Sequence, residues 1–352
     1  MAKMLLEGNQ ALAEAAIHAG CRFFFGYPIT PQSEIPEYLS RRMPKVGGVY
    51  LQAESEVSAI NMVFGAAGTG ARVLTASSSP GISLMSEGIS YIAACELPCV
   101  IINVMRGGPG LGNISPSQAD YNQATKGIGH GDFHLLVLAP DSVQEMADLT
   151  ELAFDLADKY RNPVMVLADG ILGQMMEPVE FSREEPKVYE KPWATVGASG
   201  RERNIINSLY IDPEVLEALN LRLAAKYAQA KEQECRCENY LTGDAEIVVS
   251  AFGSCARIAK AAVEEARTQG IKAGLCRPIT LWPFPETQVA EACKNAKACL
   301  VTEMNEGQMV YDVRLALRDR IPVSSFGKMG GVIPTPKDIL NEIKKLEVKP
   351  GV

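Results

Sequence analysis

The sequence predicts an α/β fold whose sheets are mainly parallel and carry helices on both faces. Short apolar runs alternate with stretches of helical length and spacing along most of the 352 residues, as they do in βαβ units. One run, at residues 97–105, has the length and apolar character of a strand that is buried on both faces. The alternation breaks off once, after Pro178, and restarts near Ala245. We therefore expect two α/β units joined by a linker.

Composition and charge argue against several classes of protein. Hydrophobic residues make up 47% of the chain and charged residues 22%, so a core can form and long disorder is not expected. The net charge of −8 argues against a nucleic-acid partner. No apolar run approaches the roughly 20 residues that span a bilayer. The N-terminus has neither the apolar core nor the cleavage site of a signal peptide.

The nine cysteines are spaced irregularly, which does not indicate a disulfide framework and fits a reducing, cytoplasmic location. Cys235 and Cys237 form the one close pair, and we interpret them as two thiols in a polar linker, since strong metal sites usually need four ligands. His130 and His134 could form a metal pair. The glycines beside them disfavour the helix that would bring them together, so no metal site is predicted.

The first unit opens with a helix predicted from Gly8 to His18, where apolar residues recur at helical spacing, and Gly20 ends it. An aromatic strand at residues 21–26 follows. The turn after this strand holds Thr30 between two prolines, which keep the backbone before each of them out of the helical region. Thr30 could cap the helix that begins near Ser33, or it could present its hydroxyl to a ligand.

The stretch from residue 52 to residue 108 is predicted as strand, helix, strand, helix and strand. Its first helix runs from Glu56 to Gly68, with Ser55 as the cap. Glu56 could simply complement the helix dipole. However, open parallel sheets bind ligands at the carboxyl ends of their strands, which is where Glu56 and Arg106 both lie.

Two loops of this stretch leave alternatives open. Residues 77–81, three serines before a proline and a glycine, could form an anion-binding turn at a helix start or a plain polar loop. Residues 106–112 contain glycines at 108, 110 and 112, but the helix and the acidic residue of a dinucleotide motif are missing. This loop either brings its backbone close to a ligand or acts as a mobile lid.

The remaining elements complete the expected domain organisation. A strand at 135–138, a helix at 142–159 and a strand at 163–168 finish a first domain at residues 1–178. Residues 179–243 are expected to be a linker that carries one largely surface-facing helix at 213–233. A smaller α/β domain at 244–352 is predicted to have strands at 246–251, 272–278, 298–302 and 323–326, with helices at 254–268, 286–296, 307–318 and 336–346.

Seven segments spread over the chain together resemble the α-type subunit of 2-oxoacid:ferredoxin oxidoreductases. They are residues 8–11, 27–31, 54–56, 78–81, 105–109, 277–285 and 301–305. The resemblance implies a thiamine-diphosphate-binding fold, in which the first domain is the pyrimidine-binding domain. It implies that the last domain is of the smaller type found at the carboxyl end of transketolase.

The resemblance also assigns roles to residues. Glu56 matches the carboxylate that binds N1′ of the pyrimidine ring and favours the imino tautomer, whose exocyclic nitrogen acts as the base. Thr30 and Arg106 match positions that contact the 2-oxoacid, and a guanidinium can grip its carboxylate in a fork. Further cofactor contacts are implied at four positions, namely Pro28, Ile29, Ser79 and Gly81.

A missing motif indicates partner subunits. The magnesium-diphosphate motif of this enzyme class, Gly-Asp-Gly followed by an Asn, is not found, and Gly243-Asp244-Ala245 lacks the second glycine. The chain should thus bind only the pyrimidine half of thiamine diphosphate. A β-type subunit would bring the diphosphate site and Mg²⁺, and [4Fe-4S] clusters would lie on partner subunits. A γ-type subunit and a small ferredoxin-like subunit would complete the complex, expected as a dimer of heteromers.

The implied reaction is the oxidative decarboxylation of a 2-oxoacid, with coenzyme A taking the acyl group and ferredoxin the electrons. The glycine-rich loop after Arg106 is most similar to the subunit that acts on branched-chain 2-oxoacids, so the expected substrate is 3-methyl-2-oxobutanoate. A 2-oxoglutarate enzyme is the alternative. Further alternatives are a non-redox thiamine-dependent decarboxylase subunit and a structural subunit with a vestigial pocket.

Overall fold

The computed structural model describes residues 3–181 and 185–347. Three parts of the predicted organisation fall outside these residues: residues 1–2 of the first domain, residues 182–184 of the linker and residues 348–352 of the second domain. In the described part, helices and strands alternate as the sequence predicts. Every helix found there falls short of the length or apolarity that crossing a membrane requires.

The described strands and helices agree with most predicted elements to within about two residues. The strands are β1 (Met4–Glu7), β2 (Phe23–Gly26), β3 (Val49–Gln52), β4 (Val73–Ser77), β5 (Cys99–Met105), β6 (Leu136–Leu138), β7 (Pro163–Asp169), β8 (Met176–Val179), β9 (Cys237–Tyr240), β10 (Ile247–Ser250), β11 (Ala273–Pro278), β12 (Thr280–Trp282), β13 (Ala298–Glu303) and β14 (Val323–Gly327). The helices are α1 (Gly8–His18), α2 (Glu34–Arg42), α3 (Glu56–Gly68), α4 (Ser79–Ala94), α5 (Tyr121–Lys126), α6 (Val143–Tyr160), α7 (Gly170–Gln174), α8 (Pro213–Gln233), α9 (Gly253–Thr268), α10 (Glu286–Ala292), α11 (Met309–Leu317) and α12 (Pro336–Glu347).

A seven-stranded sheet forms the centre of the first unit, with its strands in the order β12-β6-β7-β5-β4-β2-β3. All neighbouring strands are parallel except β12 and β6. The central strands β5 and β7 are buried along their whole length, as expected for a sheet covered on both faces. Because the parallel strands point the same way, the residues that follow β2, β3, β4 and β5 share one edge, which we call the strand-end edge.

A five-stranded sheet forms the centre of the second unit, in the order β14-β13-β10-β11-β9. It is parallel except at its edge strand β9, which pairs antiparallel with β11. Strand β9 lies inside the segment expected to be a linker. Strand β12 follows β11 in sequence, yet it pairs with β6 of the other sheet. Neither pairing is marked by a local sequence pattern, because both depend on contacts between residues that are distant in the chain.

Gln118 joins the two units close to the strand-end edge. Its Nε2 atom donates a hydrogen bond of 2.8 Å to the backbone carbonyl of Phe252, and its Oε1 atom accepts one of 3.1 Å from the backbone N–H of Met304. Beside it, the hydroxyl of Ser254 donates to the carboxylate of Asp169, which ends β7. Because these groups are buried, the bonds fix the second unit against the end of the first sheet.

Candidate active site

Glu56 lies at the strand-end edge, as the first residue of α3. The helix begins here because Ser55 is its N-cap, as predicted. Ser55 has an extended backbone, and its hydroxyl accepts a hydrogen bond of 3.2 Å from the backbone N–H of Ser58. The Glu56 side chain is buried, with 6% of the residue exposed. None of the described residues donates a hydrogen bond to its carboxylate. Glu56 is therefore a buried acceptor that its own chain leaves unused.

The Glu56 carboxylate faces Gly81 in the first turn of α4. A Cβ atom at position 81 would lie 2.5 Å from Glu56 Oε1 and 2.0 Å from Ser77 Oγ, so a glycine is required to leave space here. The hydroxyls of Ser77 and Ser78 are buried and have no partner among the described residues. Leaving a buried polar group unpaired costs about 1–3 kcal/mol. These polar groups therefore indicate a cleft whose hydrogen bonds a bound molecule completes.

Arg106 follows β5 at the same edge, and two backbone carbonyls hold its guanidinium group. Nη1 donates to the carbonyl of Thr30 and Nη2 donates to the carbonyl of Leu111, both at 3.0 Å. The residue is 7% exposed, and its Nε–H is buried without an acceptor in the described part of the chain. A fixed cation with an unused donor can bind an anionic ligand.

Thr30 is the exposed member of the turn that follows β2. The N-cap of α2 is Ser33 rather than Thr30, so the structure does not support a capping role for Thr30. Its side chain is exposed, as is Pro28, while Ile29 is half-buried. Asn9 of α1 holds the backbone of this turn, because its Nδ2 atom donates a hydrogen bond of 2.8 Å to the carbonyl of Pro31. The hydroxyl of Thr30 thus remains available beside Arg106.

Ser79 is tied into an internal network, unlike the two serines before it. Its hydroxyl donates to Asp120 Oδ2 at 2.6 Å and accepts from the backbone N–H of Arg106 at 3.1 Å. Asn103 completes the network, because its Nδ2 donates to the same Asp120 oxygen at 2.9 Å and its Oδ1 accepts from the backbone N–H of Ser79 at 3.1 Å. Burial raises the pKa of Asp120, and the bonds from Ser79 and Asn103 partly offset this effect. Ser79 therefore positions the backbone of Arg106.

Residues 77–81 fit neither of the two interpretations given above. Ser77 ends β4 and Ser79 begins α4, so the turn between them consists of Ser78 alone. The backbone N–H of Ser79 bonds to Asn103, and that of Gly81 bonds to the carbonyl of Ser78 at 2.7 Å. These N–H groups are therefore not available to an anion.

The loop after Arg106 folds back on itself. The backbone N–H of Gly107 donates to the carbonyl of Ser115 at 2.8 Å, and that of Asn113 donates to the carbonyl of Gly107 at 2.9 Å. Asn113 Nδ2 also donates to the carbonyl of Gly330, in the second unit, at 2.9 Å. Leu111 is left 81% exposed at the tip. The loop thus presents an aliphatic side chain next to the carbonyl that holds Arg106.

The histidines and the close cysteine pair take separate structural positions. The ring of His134 stacks on Trp282 at 4.4 Å, while Cys235 and Cys237 contact different partners, Phe284 and Cys276. Within residues 3–181 and 185–347, no group of three or more histidine, cysteine or acidic side chains could hold a metal ion.

Two residues of the site, Asn103 and Asp120, were not predicted from the sequence, whereas Ser77 and Ser78 belong to the segment that was predicted as a polar turn. A signal existed for Asn103, because it is the one polar side chain in the long apolar run that became β5. No comparable signal marks Asp120, which lies in a polar loop and reaches the site only through the folding of that loop.

Family profiles match most of the chain. The profile of pyruvate flavodoxin/ferredoxin oxidoreductase, thiamine diphosphate-binding, matches residues 14–235. The profile of pyruvate:ferredoxin oxidoreductase core domain II matches residues 245–339.

Two relatives cover nearly all of the chain. The ketoisovalerate oxidoreductase subunit VorB of Methanothermobacter marburgensis is 51% identical over 349 residues, which are 98% of each chain. The 2-oxoglutarate synthase subunit KorA of Methanothermobacter thermautotrophicus is 39% identical over 371 residues, covering 97% of this chain and 98% of the relative.

Solved structures share the fold. The 2-oxoglutarate:ferredoxin oxidoreductase from Magnetococcus marinus with 2-oxoglutarate, coenzyme A and succinyl-CoA bound is 28% identical, with a TM-score of 0.88. The match covers 97% of this chain and 65% of that longer chain. A split gene transketolase, the inactive β4 tetramer, is 13% identical with a TM-score of 0.59 and covers 96% of this chain, which is a likeness of fold alone.

Proposed function

The chain belongs to the 2-oxoacid:ferredoxin oxidoreductase family. We propose that it is the subunit that holds the pyrimidine half of thiamine diphosphate. The observation that supports this most directly is the Glu56 carboxylate, buried against Gly81 and unpartnered within the described chain. We retain the division into a pyrimidine-binding domain at 1–178, a linker at 179–243 and a transketolase-like domain at 244–352 as part of the proposal.

The residues around Glu56 fit an aminopyrimidine ring. Such a ring offers both donors and acceptors, which match an unused carboxylate and the unused hydroxyls of Ser77 and Ser78. Gly81 leaves the space beside them, and Pro28 and Ile29 are the proposed apolar contacts. The hydroxyl of Ser79 donates to Asp120. We therefore propose that Ser79 does not contact the cofactor through its hydroxyl and instead helps to hold the backbone of Arg106 in place.

When bound, thiamine diphosphate supplies a nucleophilic carbon and an electron sink for the decarboxylation. In this proposal Glu56 holds a proton at the pyrimidine N1′ atom. Its burial makes that hydrogen bond stronger than it would be in water. Arg106 binds the carboxylate of the 2-oxoacid, and Thr30 donates from its hydroxyl to the same substrate. The unused Nε–H of Arg106 supports this role, because a substrate oxygen would satisfy it.

The proposed substrate is 3-methyl-2-oxobutanoate. The higher identity to the ketoisovalerate subunit, 51% against 39% for the 2-oxoglutarate subunit, favours it. The exposed aliphatic side chain of Leu111, next to Arg106, is compatible with an isopropyl group. The solved 2-oxoglutarate enzyme supports the alternative, namely a 2-oxoglutarate:ferredoxin oxidoreductase subunit.

The proposed partners are a β-type subunit with the diphosphate site and Mg²⁺, a γ-type subunit and a small ferredoxin-like subunit. Clusters on these partners would carry electrons to ferredoxin, and coenzyme A would accept the acyl group. Near the strand-end edge, the aliphatic side chains of Leu51, Val57 and Leu84 are 40%, 46% and 56% exposed. A partner subunit that closes the cleft would cover such side chains.

The test is turnover of the co-purified complex, with a viologen dye as electron acceptor. We expect activity with coenzyme A and 3-methyl-2-oxobutanoate well above that with 2-oxoglutarate. The reverse ratio would transfer the assignment to the 2-oxoglutarate enzyme. Decarboxylation without dye reduction, together with a colourless partner, would indicate a non-redox thiamine enzyme.

A further inference from the structure

A polar cavity of about 300 Å³ lies at the edge of the seven-stranded sheet opposite the candidate active site. The end of α4, the residue after α6, the segment at 193–210 and α8 surround it. Glu96 and Arg161, in its wall, precede β5 and β7, whereas Arg106 follows β5. A strand of that length spans about 20 Å. The cavity, which we call the basic pocket, is therefore separate from the strand-end edge.

Three cations surround Glu96: Arg161 and Arg222 line the basic pocket with it, and Lys226 lies beside the pocket. Arg222 donates to Glu96 Oε2 through Nε at 3.0 Å, and its Nη2 lies 2.9 Å from the same oxygen. Lys226 Nζ lies 3.5 Å from Glu96 Oε1. Arg161 donates through Nε to the backbone carbonyl of Glu96 at 3.1 Å and forms no ion pair within the described residues. Two positive charges therefore remain without a counter-ion.

Burial makes the positive charges of Lys226 and Arg161 unfavourable, whereas the side chain of Arg222 is 60% exposed. The side chain of Lys226 is only 11% exposed. Its pKa is lowered to about 8, mainly by burial, while Glu96 raises it and Arg161 and Arg222 make smaller contributions that lower it. Burial also lowers the pKa of Arg161, and Arg222 adds to that effect. An anion in the pocket would stabilise all three cations in their charged form.

We propose that the basic pocket binds a small molecule that carries a phosphate group. The guanidinium groups of Arg161 and Arg222 provide planar sets of donors that suit phosphate oxygens. Lys226, which contacts Glu96 beside the pocket, adds a positive charge close by. Trp193, whose ring centroid lies 4.7 Å from the Arg161 guanidinium carbon, forms an aromatic wall. The volume would hold about ten water molecules. This is more than a phosphate group alone requires, so a nucleotide fits better than free orthophosphate.

Trp193 allows a direct binding measurement. The chain has two tryptophans, and Trp282 lies elsewhere, stacked on His134, so the Trp282→Phe variant isolates the signal of Trp193. Orthophosphate and adenosine monophosphate are titrated separately at constant ionic strength, with sodium chloride as the blank. We expect a saturable change in emission with both ligands and tighter binding of the nucleotide. Equal affinity for the two would identify free phosphate as the ligand.

Matched variants locate the binding. Arg161→Gln should abolish the saturable change, whereas Arg314→Gln, which alters a guanidinium beside Tyr311 on α11, should leave it intact. A linear response to both ligands, identical to that of sodium chloride, would overturn the proposal. So would saturation that persists in Arg161→Gln.

A second measurement uses the unsubstituted chain in its complex. The lowered pKa of Lys226 leaves more neutral amine at pH 8 than an ordinary lysine has, so acetylation by a water-soluble succinimidyl ester can be followed at this residue by mass spectrometry. Adenosine monophosphate should slow acetylation of Lys226 several-fold and leave Lys297, which is 75% exposed, unaffected. Equal rates at Lys226 with and without both phosphate ligands would contradict the proposal, whatever the outcome for the 2-oxoacid reaction.

Discussion

The Nη1 atom of Arg106 donates a hydrogen bond of 3.0 Å to the backbone carbonyl of Thr30. This bond joins the end of β5 to the turn after β2, across 76 residues of sequence. Because the acceptor of this bond is the main-chain carbonyl of Thr30, the hydroxyl of Thr30 remains free to bind a ligand. The bond to Leu111 holds the other Nη atom, so the guanidinium has one orientation before any substrate arrives. Preorganisation of this kind favours binding of a carboxylate.

Arg106→Lys is expected to weaken substrate binding while the fold persists. A lysine retains the charge, but all its donors lie on one nitrogen, so it lacks the spaced nitrogens by which Arg106 bonds to the carbonyls of Thr30 and Leu111 and keeps Nε–H for a ligand. Loss of a hydrogen bond between charged groups typically corresponds to about 1.5–3 kcal/mol, so kcat/KM for the 2-oxoacid should fall roughly 10- to 100-fold. Steady-state kinetics of the complex measure this, and most of the effect should lie in KM.

Arg314→Lys is the matched control for Arg106, because it alters an arginine of α11 that lies beside Tyr311. It should leave KM unchanged. If Arg106→Lys also left KM unchanged, Arg106 would not bind the substrate carboxylate, and its role would be limited to holding the turn at Thr30.

Glu56→Gln is expected to lower kcat with little change in stability. Glutamine has the same shape and still fits against Gly81, but it cannot hold a proton as a carboxylate does. Loss of a proton-transfer group lowers rates by about 10²–10⁴-fold. Glu54→Gln is the control, since Glu54 is two residues away and exposed, and its carboxylate accepts a hydrogen bond from the exposed side of the helix start at Ser58. A Glu56→Gln complex with unaltered turnover would remove this residue from the mechanism.

Gly81→Ala tests whether the space in front of Glu56 matters. The added methyl group would lie 2.0 Å from Ser77 Oγ and 2.5 Å from Glu56 Oε1, so both side chains must move and the affinity for thiamine diphosphate should fall. Gly65→Ala on the exposed face of α3 meets nothing within 4 Å and should stabilise the helix by up to about 1 kcal/mol. Calorimetric titration of the complex with the cofactor checks this, and equal affinities in the two variants would contradict it.

Local patterns account for the parts of the fold that were predicted. The bounds of α1 and α3 agree with the prediction to the residue, and those of α8 agree closely. Helical spacing and Gly20 indicated α1, and identifiable starts at Ser55 and Pro213 indicated the other two. Glu56 and Arg106 were selected as candidates because a general rule places ligands at the ends of parallel strands, and both residues lie at that edge of the sheet.

Pairings between distant residues account for what was missed. Strand β12 is three residues long, and nothing in Thr280, Leu281 or Trp282 specifies β6 rather than the strands of its own unit as a neighbour. The pairing of β1 with β8 likewise links the two ends of the first unit. Asp120 was missed for the same reason, because it contributes to the site through its hydrogen bonds with Ser79 and Asn103, which are distant in sequence.

Two substitutions at Asp120 should separate its charge from its hydrogen bonds. Burial raises the pKa of Asp120 above its ordinary value of 3.8, so the ionised form is less stable in the folded state than in the unfolded state. Wild-type stability therefore falls as the pH rises through 3.8 toward the raised pKa, and this loss persists at neutral pH. Asp120→Asn removes the charge and keeps an oxygen that accepts from Ser79 and Asn103. The variant should be at least as stable as the wild type at pH 7, with an advantage that shrinks as the pH is lowered toward 3.8.

Asp120→Ala, in contrast, leaves the Ser79 hydroxyl and the Asn103 amide without their acceptor. Unfolding by urea should show a loss of about 1–3 kcal/mol, because both donors are close to buried strands. The released Ser79 would no longer fix the backbone of Arg106, so KM for the 2-oxoacid should rise in Asp120→Ala and not in Asp120→Asn. If both variants raised KM equally, the charge of Asp120 itself would act on the substrate site. If neither did, the orientation of Arg106 would depend on Thr30 and Leu111 alone.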